Sequence, residues 1–438
     1  MPRGSGPAAP MSQSAALAAA LAEVLPEPPP PRLGVAVSGG GDSIALTALV
    51  ADWAAALATP IALHAVTVDH GLRPDSAAEA AAAKRFCHDL GLTHDTLGWR
   101  EAGGRPDGNL QDMARRARQE LIASWARERG IVHVLLGHTQ DDQAETVLLR
   151  LARGSGVDGL SAMALQRVAL GITWLRPLLT QSRAALRDFL GERGVAWSED
   201  PSNADRRFDR VKMREALAVL APLGIEAAGL ASTAERLDRA RAALASAALE
   251  LARRITRVEA GDVLIAREGL FDAPDDLRDR VLAQALCWVA SADYRPRHAA
   301  LMRLMGNLRA GQGATLHGCR VIPEAGQLRV LRELRAVRDL QVSPGELWDG
   351  RWRLIAPYDK DLRVRVAAGA RVRALGEAGL AACPQWRASG LPRASLMAGP
   401  ALWQGEHLIA APLAGHAEGW RAELAPPGGA FLDGFLSR

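Results

Sequence analysis

The sequence predicts an α/β protein: a doubly wound parallel sheet, then a helical α+β middle domain and a small β-rich C-terminal domain. Three observations predict it. Strand-like apolar runs alternate with helix-like runs from Leu33 to Leu151, as parallel strands joined by helical crossovers do. The glycine-rich turn Ser38-Gly39-Gly40-Gly41-Asp42-Ser43 directly follows the first of those strands. After Asp200 the alternation stops, and Ala/Arg-rich helical sequence gives way beyond Leu334 to short segments spaced by Gly, Pro and Trp.

At 438 residues the chain exceeds what one compact core usually supports, which favours two or three domains. With 48% hydrophobic and 23% charged residues it has the balance of a soluble globular protein. No apolar run reaches the roughly 18 residues that a membrane span requires. Cys87, Cys287, Cys319 and Cys383 lie far apart with no CxxC spacing, so neither a zinc site nor a disulfide framework is expected, and a reducing cytoplasm fits. The net charge of +4 is carried almost wholly by arginine, since Lys84, Lys212 and Lys360 are the only lysines. Arginine forks suit phosphate contacts, but overall charge alone supports no nucleic-acid partner.

In chain order, residues 1–32 read as an N-terminal tail and Pro-rich linker. Ser12 to Leu25 is Ala/Leu-rich but carries Glu23 and lacks a basic leader and a cleavage site, so it reads as a short helix or frayed tail. Glu27 to Pro31 is a stiff spacer. The first domain, 33–215, opens with a buried strand, Leu33 to Val37. A helix follows from about Ser43 to Leu57, a strand from Ile61 to Val68 and a helix from Ala77 to Leu90. A short strand near Thr93 to Leu97, an Arg-rich helix from about Asn109 to Arg129, the strand Val132 to Leu136 and a helix from Asp141 to Leu151 complete the pattern. The second domain, 216–334, is expected to hold long helices up to about Arg254, strands near Val263, helices near Leu277 and Arg297, and a hairpin around Gly318. The third, 335–438, is expected to be several short strands.

Ligands of doubly wound sheets sit beyond the carboxyl ends of the strands, where Ser38, Asp69 and His138 fall. Gly39, Gly40 and Gly41 let backbone amides approach a phosphate, the next helix offers its positive N-terminus, and Ser38 and Ser43 add hydroxyl donors. A plain tight turn is the competing reading. The γ-phosphate-hydrolysing loop GxxxxGK[ST] is absent, because no lysine lies between the turn and Lys84. Asp42 stands there instead, and a carboxylate beside phosphate oxygens implies an intervening Mg²⁺ unless it only serves the helix dipole. These features point to ATP used with loss of pyrophosphate. The second constellation is Gly137-His138-Thr139-Gln140-Asp141-Asp142-Gln143-Ala144-Glu145-Thr146. In it His138, Asp141 or Asp142, and Glu145 share one helix face. The alternative is an acidic first turn capped by Thr139. At a neighbouring strand tip the segment forms a second wall of the same pocket, whose carboxylates suit a metal or a proton from an attacking amine.

SGGGDS, DHGLR (Asp69 to Arg73), GHTQDDQAET and RGSGVDGL (Arg153 to Leu160) together resemble the tRNA(Ile)-lysidine synthetase family of PP-loop ATP pyrophosphatases. WLRPLL (Trp174 to Leu179) and EDPSN (Glu199 to Asn203) extend the resemblance, which is dense from Leu33 to Arg214 and looser in YRPRH (Tyr294 to His298) and GATLHGC (Gly313 to Cys319). The resemblance implies ATP-dependent conversion of the wobble cytidine of a CAU anticodon in tRNA(Ile) to lysidine, with free lysine as co-substrate and AMP and pyrophosphate released. It implies that Ser38, Gly39, Gly40, Gly41, Asp42 and Ser43 grip the phosphates, that Asp42 and Asp142 serve Mg²⁺, and that Asp69, His70 and His138 lie by the nucleotide. Asp42, Asp142 and Arg115 would be catalytic, with Asp142 the acidic residue most directly tied to catalysis. Arg115 and Arg118 match an arginine helix facing ATP and anticodon, with Gln119 where an aromatic residue commonly follows. Arg153 would lie on a substrate-facing loop. Arg210 and Arg214, one turn apart, would reach phosphate, although Val211 replaces an asparagine between them. No membrane is involved, and a homodimer is left open. Other relatives of the PP-loop group transfer sulfur, which needs reactive cysteines, and Cys87 in the first domain has no partner. A non-catalytic tRNA binder is the other alternative, and the acidic residues argue against it because a pure phosphate binder would gain by losing them.

Overall fold

The computed structural model describes residues 13–69, 71, 76–98, 110–198, 206–207, 209–357, 369–426 and 428–436. The chain divides into two compact units, the first running to Arg241 and the second from Ala242.

The first unit opens with α1 (Gln13–Val24). Leu17 and Leu21 are fully buried and Leu25 nearly so, a stripe at i, i+4, i+8 that packs α1 into the same core as the helices introduced below. The segment is thus a docked helix and not a frayed tail. Next come β1 (Arg32–Ala36), α2 (Gly41–Ala55), β2 (Ala62–Asp69), α3 (Ser76–Asp89), β3 (Thr93–Gly98), α4 (Leu110–Glu128), β4 (His133–Leu135) and α5 (Gln140–Ala152). Each lies within two residues or so of its expected place. The short helix α6 (Val157–Leu160), the hairpin β5 (Gln166–Ala169) and β6 (Ile172–Leu175), α7 (Arg183–Glu192) and α8 (Asp209–Leu220) follow, then the start of α9 (Ala227–Ile255).

The sheet order is β3-β2-β1-β4-β6-β5, parallel except where β5 runs against β6. Leu33 and Val35 on β1 and Val134 and Leu135 on β4 have no exposed surface, as expected of strands covered on both faces. One face packs on α1, α2, α3 and α7. The other packs on α4 through Ile122, Trp125 and Trp174. The chain builds outward from β1 to β3 and then returns to place β4 on the other side of β1. Strand order therefore reverses between β1 and β4, where a doubly wound sheet opens a ligand crevice.

In the second unit, β7 (Thr256–Glu259), β8 (Asp262–Ala266), β9 (Ala314–Leu316), β10 (Cys319–Glu324) and β11 (Gln327–Arg332) form an antiparallel sheet, with Gly318 at the β9–β10 turn. The short helix α10 (Arg267–Phe271) and the helices α11 (Asp275–Ala290) and α12 (His298–Arg309) pack on it. Beyond Leu334 come β12 (Trp352–Ile355) paired with β16 (Arg421–Leu424), and a sheet of β13 (Ala370–Ala374), β14 (Pro400–Gln404) and β15 (His407–Ala410). Most of these late segments pack in clusters of their own, and a few contacts tie them to the core of the first five strands. Phe431 packs edge-on against Trp288 of α11 at 5.9 Å, Arg332 pairs with Asp349 at 2.8 Å, and buried Arg351 donates to the carbonyls of Val289 and Gly261. No single described helix is long and apolar enough to cross a membrane.

Candidate active site

The turn after β1 is held open by its own main chain. Gly39 has φ +84°, a conformation that a side chain would strain. The Ser198 amide donates to the Gly39 carbonyl at 3.1 Å. The Ser43 hydroxyl closes the loop, accepting from the Ser38 amide at 3.1 Å, donating to the Gly40 carbonyl at 2.9 Å and lying 3.1 Å from Ser38 Oγ. The Gly41 and Asp42 amides at the start of α2 have no intrahelical acceptor, as at any helix start, while the Ser43 and Ile44 amides donate to the Gly40 carbonyl at 3.1 Å. Gly40 is the N-cap and supplies no side chain to compete for them.

The turn after β4 lies directly against this loop. A methyl group on Gly137 would come within 3.0 Å of the Asp42 carbonyl oxygen and 3.1 Å of Ser43 Cα. Thr139 caps α5, with its side chain accepting from the Asp142 amide while Asp142 Oδ2 accepts from the Thr139 amide at 2.9 Å and hydroxyl at 3.0 Å. The capping reading of this segment holds, and the cap, made through Oδ2, leaves Asp142 Oδ1 toward Arg183 and Arg210 at 3.5 and 3.8 Å. The helix starts of α5 and α7 are stapled by a Gln140 amide to Gln181 carbonyl bond of 2.8 Å, and by the Arg183 amide donating to Asp141 Oδ2 at 2.7 Å.

Arg183, which no sequence motif singled out, stands at the centre. Its Nε donates to Asp42 Oδ2 at 3.1 Å, and its Nη atoms lie 3.5 Å from Asp142 Oδ1 and 3.7 Å from Glu145 Oε1. Arg214 Nε donates to Glu145 Oε1 at 3.0 Å, and Arg210 Nη1 lies 3.8 Å from Asp142 Oδ1. The two arginines of α8 are thus turned toward the carboxylates of α5. Glu145 is 1% exposed, and its Oε2 is buried without a hydrogen-bond partner.

The electrostatics divide the three carboxyls. Burial raises the pKa of Asp42 above its ordinary value, outweighing Arg183, and Asp142 and Asp141 add to the rise. Burial likewise raises Glu145, helped by Asp142 and opposed by Arg214 and Arg183. Asp142 goes the other way: burial pushes it up, but Arg183, the Thr139 amide and Arg210 hold it low, and His138 adds to this only where its ring is protonated. His138 is pushed down to about 3 by burial and by Arg176, Arg115 and Arg210, against the pull of Asp142. It is a neutral imidazole at physiological pH, and its Nδ1 is buried without a partner. Burial and the neighbouring Arg210 depress Arg118, so α4 brings Arg115 and Arg118 to the same neighbourhood.

Two expected residues make their printed contacts away from this cluster. Asp69 ends β2 and accepts from the Gly71 amide at 2.9 Å. Arg153 pairs with Asp209, the first residue of α8, at 3.5 Å, both side chains largely exposed. His70 and the segment Glu199 to Asn203 lie outside the described residues. The first unit's Cys87 is buried and its thiol pushed up to about 12 by burial, which leaves no thiolate for sulfur chemistry.

An amide-lined turn at the switch point, a carboxylate in place of a Walker lysine and a second acidic wall define the class: a PP-loop, ATP-using domain. The PP-loop domain family model matches residues 13–220. A tRNA(Ile)-lysidine synthase of Ruegeria pomeroyi is 48% identical over 396 residues, covering 90% of this chain and 92% of its own. One of Rhodopseudomonas palustris is 40% identical over 327 residues, covering 68% and 93%. One of Rhizobium meliloti is 37% identical over 346 residues, covering 74% and 73%. The chain belongs to the tRNA(Ile)-lysidine synthase family.

Proposed function

We propose that the chain is a carbon–nitrogen ligase that joins the ε-amine of free lysine to the wobble cytidine of tRNA(Ile) with a CAU anticodon, releasing AMP and pyrophosphate. The observation that carries this is the convergence of Asp42, Asp142 and Glu145 within reach of one guanidinium, beside the amides after β1. Such a site serves two steps in succession, a phosphoryl attack and an amine attack.

In the first step the cytidine 2-oxo oxygen attacks the α-phosphorus of ATP, and the bond to pyrophosphate breaks. Charge growing on pyrophosphate is met by the first amides of α2 and by Ser38 and Ser43. Mg²⁺ suits the donor set. The ion commonly takes one or two carboxylates beside phosphate oxygens, and Asp42 and Asp142 would supply them. Among the described residues no three His, Cys, Asp or Glu side chains are grouped to hold a metal unaided, and this binding mode requires no such group. When bound, it would neutralise the leaving phosphates. In the second step the lysine ε-amine attacks the ring carbon, the carbon–oxygen bond breaks and AMP departs with that oxygen. The amine must shed protons, and we assign Glu145 to accept one, a reading supported by its raised pKa and unpartnered Oε2. Asp142, held ionised, orients the ammonium group before attack. Neutral His138 and Asp69 line the nucleotide side. Arg115, Arg118, Arg210 and Arg214 neutralise phosphates of ATP and anticodon, and Arg153 contacts the tRNA backbone farther out. The second unit selects the tRNA by shape, and the enzyme works in the cytoplasm.

The test follows pyrophosphate release from ATP. Release that requires both tRNA and lysine supports the ligase. Tight tRNA binding without release supports a non-catalytic binder.

A further inference from the structure

Arg183 is a largely buried cation in reach of three carboxylates of the first unit, and its placement is fixed from three directions. Ser182 caps α7, accepting from the Ala185 amide at 3.2 Å. The Arg183 amide is bound to Asp141, and the preceding turn is stapled to the start of α5. From this anchored position the guanidinium spans carboxylates on two different elements: Asp42 of α2, and Asp142 and Glu145 of α5. The side chain is 18% exposed, against 23%, 11% and 1% for its three partners. Three carboxylates so close together repel one another unless a cation stands among them. For Asp142 and Glu145 the arginines of α8 help. For Asp42, Arg183 is the guanidinium in hydrogen-bond contact.

We propose that Arg183 is a positioning residue, a built-in counter-cation that holds Asp42, Asp142 and Glu145 converged and competes with a divalent cation for Asp42 and Asp142. This rests on the reading that those two carboxylates serve the divalent ion, but not on which group is adenylated. A planar fork reaches several carboxylates at once, and an ammonium does so less well. The guanidinium therefore presets the site in a shape that Mg²⁺ with ATP takes over, and it weakens binding of the ion alone. Free metal is kept out until phosphate oxygens arrive to complete its shell.

The experiment uses the full chain without ATP, tRNA or lysine. Binding of Mn²⁺ alone is titrated by the electron-spin signal of the free ion, and thermal stability is measured with and without 10 mM-scale (about that order) Mg²⁺. In Arg183→Gln the melting temperature is expected to fall by several degrees and to recover most of that loss when Mg²⁺ or Mn²⁺ is added, whereas the unsubstituted protein hardly responds. Mn²⁺ should bind Arg183→Gln about tenfold or more tightly than it binds the unsubstituted chain, because a competing charge is gone. Arg183→Lys should fall between. Adding Asp42→Asn to Arg183→Gln should abolish the rescue. An Arg183→Gln protein with unchanged stability, or with a loss that no divalent ion recovers, overturns the proposal, as does Mn²⁺ binding that stays equal or weakens. If Arg183→Gln does not fold, Arg183→Lys carries the same comparison, and failure of both to respond to the ion also overturns it. Rescue by the ion together with absence of lysine transfer in the unsubstituted enzyme would leave this proposal standing and remove the proposed reaction.

Discussion

Replacing Gly137 by alanine tests whether the turn after β4 and the loop after β1 must touch for the reaction to run. The added methyl meets the Asp42 carbonyl oxygen at 3.0 Å, its carbon at 3.1 Å and Ser43 Cα at 3.1 Å. All three atoms are main chain at the start of a buried helix, so none moves aside as a flexible side chain does. Carbon contacts are comfortable at about 3.5–4.0 Å, so the two strand tips must part by roughly half an ångström. Overpacking of this kind costs about 1–3 kcal/mol. Misplacement by an ångström costs reactions on the order of a hundredfold in rate, so half that distance costs about tenfold. Gly137→Ala is therefore expected to fold, to melt a few degrees lower and to release pyrophosphate about tenfold more slowly. Thermal melting and a coupled pyrophosphate assay measure the two effects on one preparation. Full turnover with an unchanged melting temperature would show that the tips are not in firm contact, and would refute the reasoning.

Two further substitutions probe the charges. Asp142→Asn keeps an acceptor for the Thr139 cap but removes the charge facing Arg183 and Arg210. ATP binding should be largely retained while turnover falls on the order of a hundredfold, the scale of one acid–base or orienting group, and unchanged turnover would take Asp142 out of the catalytic role. In the second unit, burial pushes Asp262 up from the ordinary 3.8 to about 6 despite hydrogen bonds from Ser395 and Arg329 and the nearby Arg351. Glu259 and Glu324 compete for the same Arg329. A pKa raised by folding means that protonation favours the native state, so this contribution is present below 3.8, fades as pH rises through about 6, and is gone at neutral pH. Between pH 7 and pH 5 the unsubstituted chain should gain about 1 kcal/mol of stability relative to Asp262→Asn, and parallel denaturation curves at the two pH values would contradict this.

The alternation of β1 to α5 was legible because each strand is a short apolar run closed by a turn, and each helix is long enough to show its period. The two walls of the site were legible for the same reason, since each lies at the end of such a strand. Arg183 was not legible. It sits 141 residues from Asp42 in the chain, at the start of a helix with no local signature, and its role arises only when the fold brings α7 beside α5. The inward turn of Arg210 and Arg214 was equally hidden, because spacing one turn apart gives a shared face without saying what that face meets. The packing of α1 could be seen only in part: Leu17, Leu21 and Leu25 are correctly spaced, but Ala-rich surroundings mute the contrast between faces. Beyond Leu334, short strands were readable from turn residues. That Phe431 and Arg351 complete a core begun near Ala248 was not, because such pairings join residues far apart in sequence.

The central claim is that this site attaches lysine to a tRNA cytidine through an adenylated intermediate. Its most direct test is mass analysis of the wobble nucleoside after incubating the protein with ATP, lysine and tRNA(Ile) bearing a CAU anticodon. The expected product is a cytidine heavier by one lysine less one water, formed with AMP and pyrophosphate in equal amounts. An unmodified cytidine in the presence of all three substrates, or ATP cleavage that proceeds without lysine transfer, would contradict it.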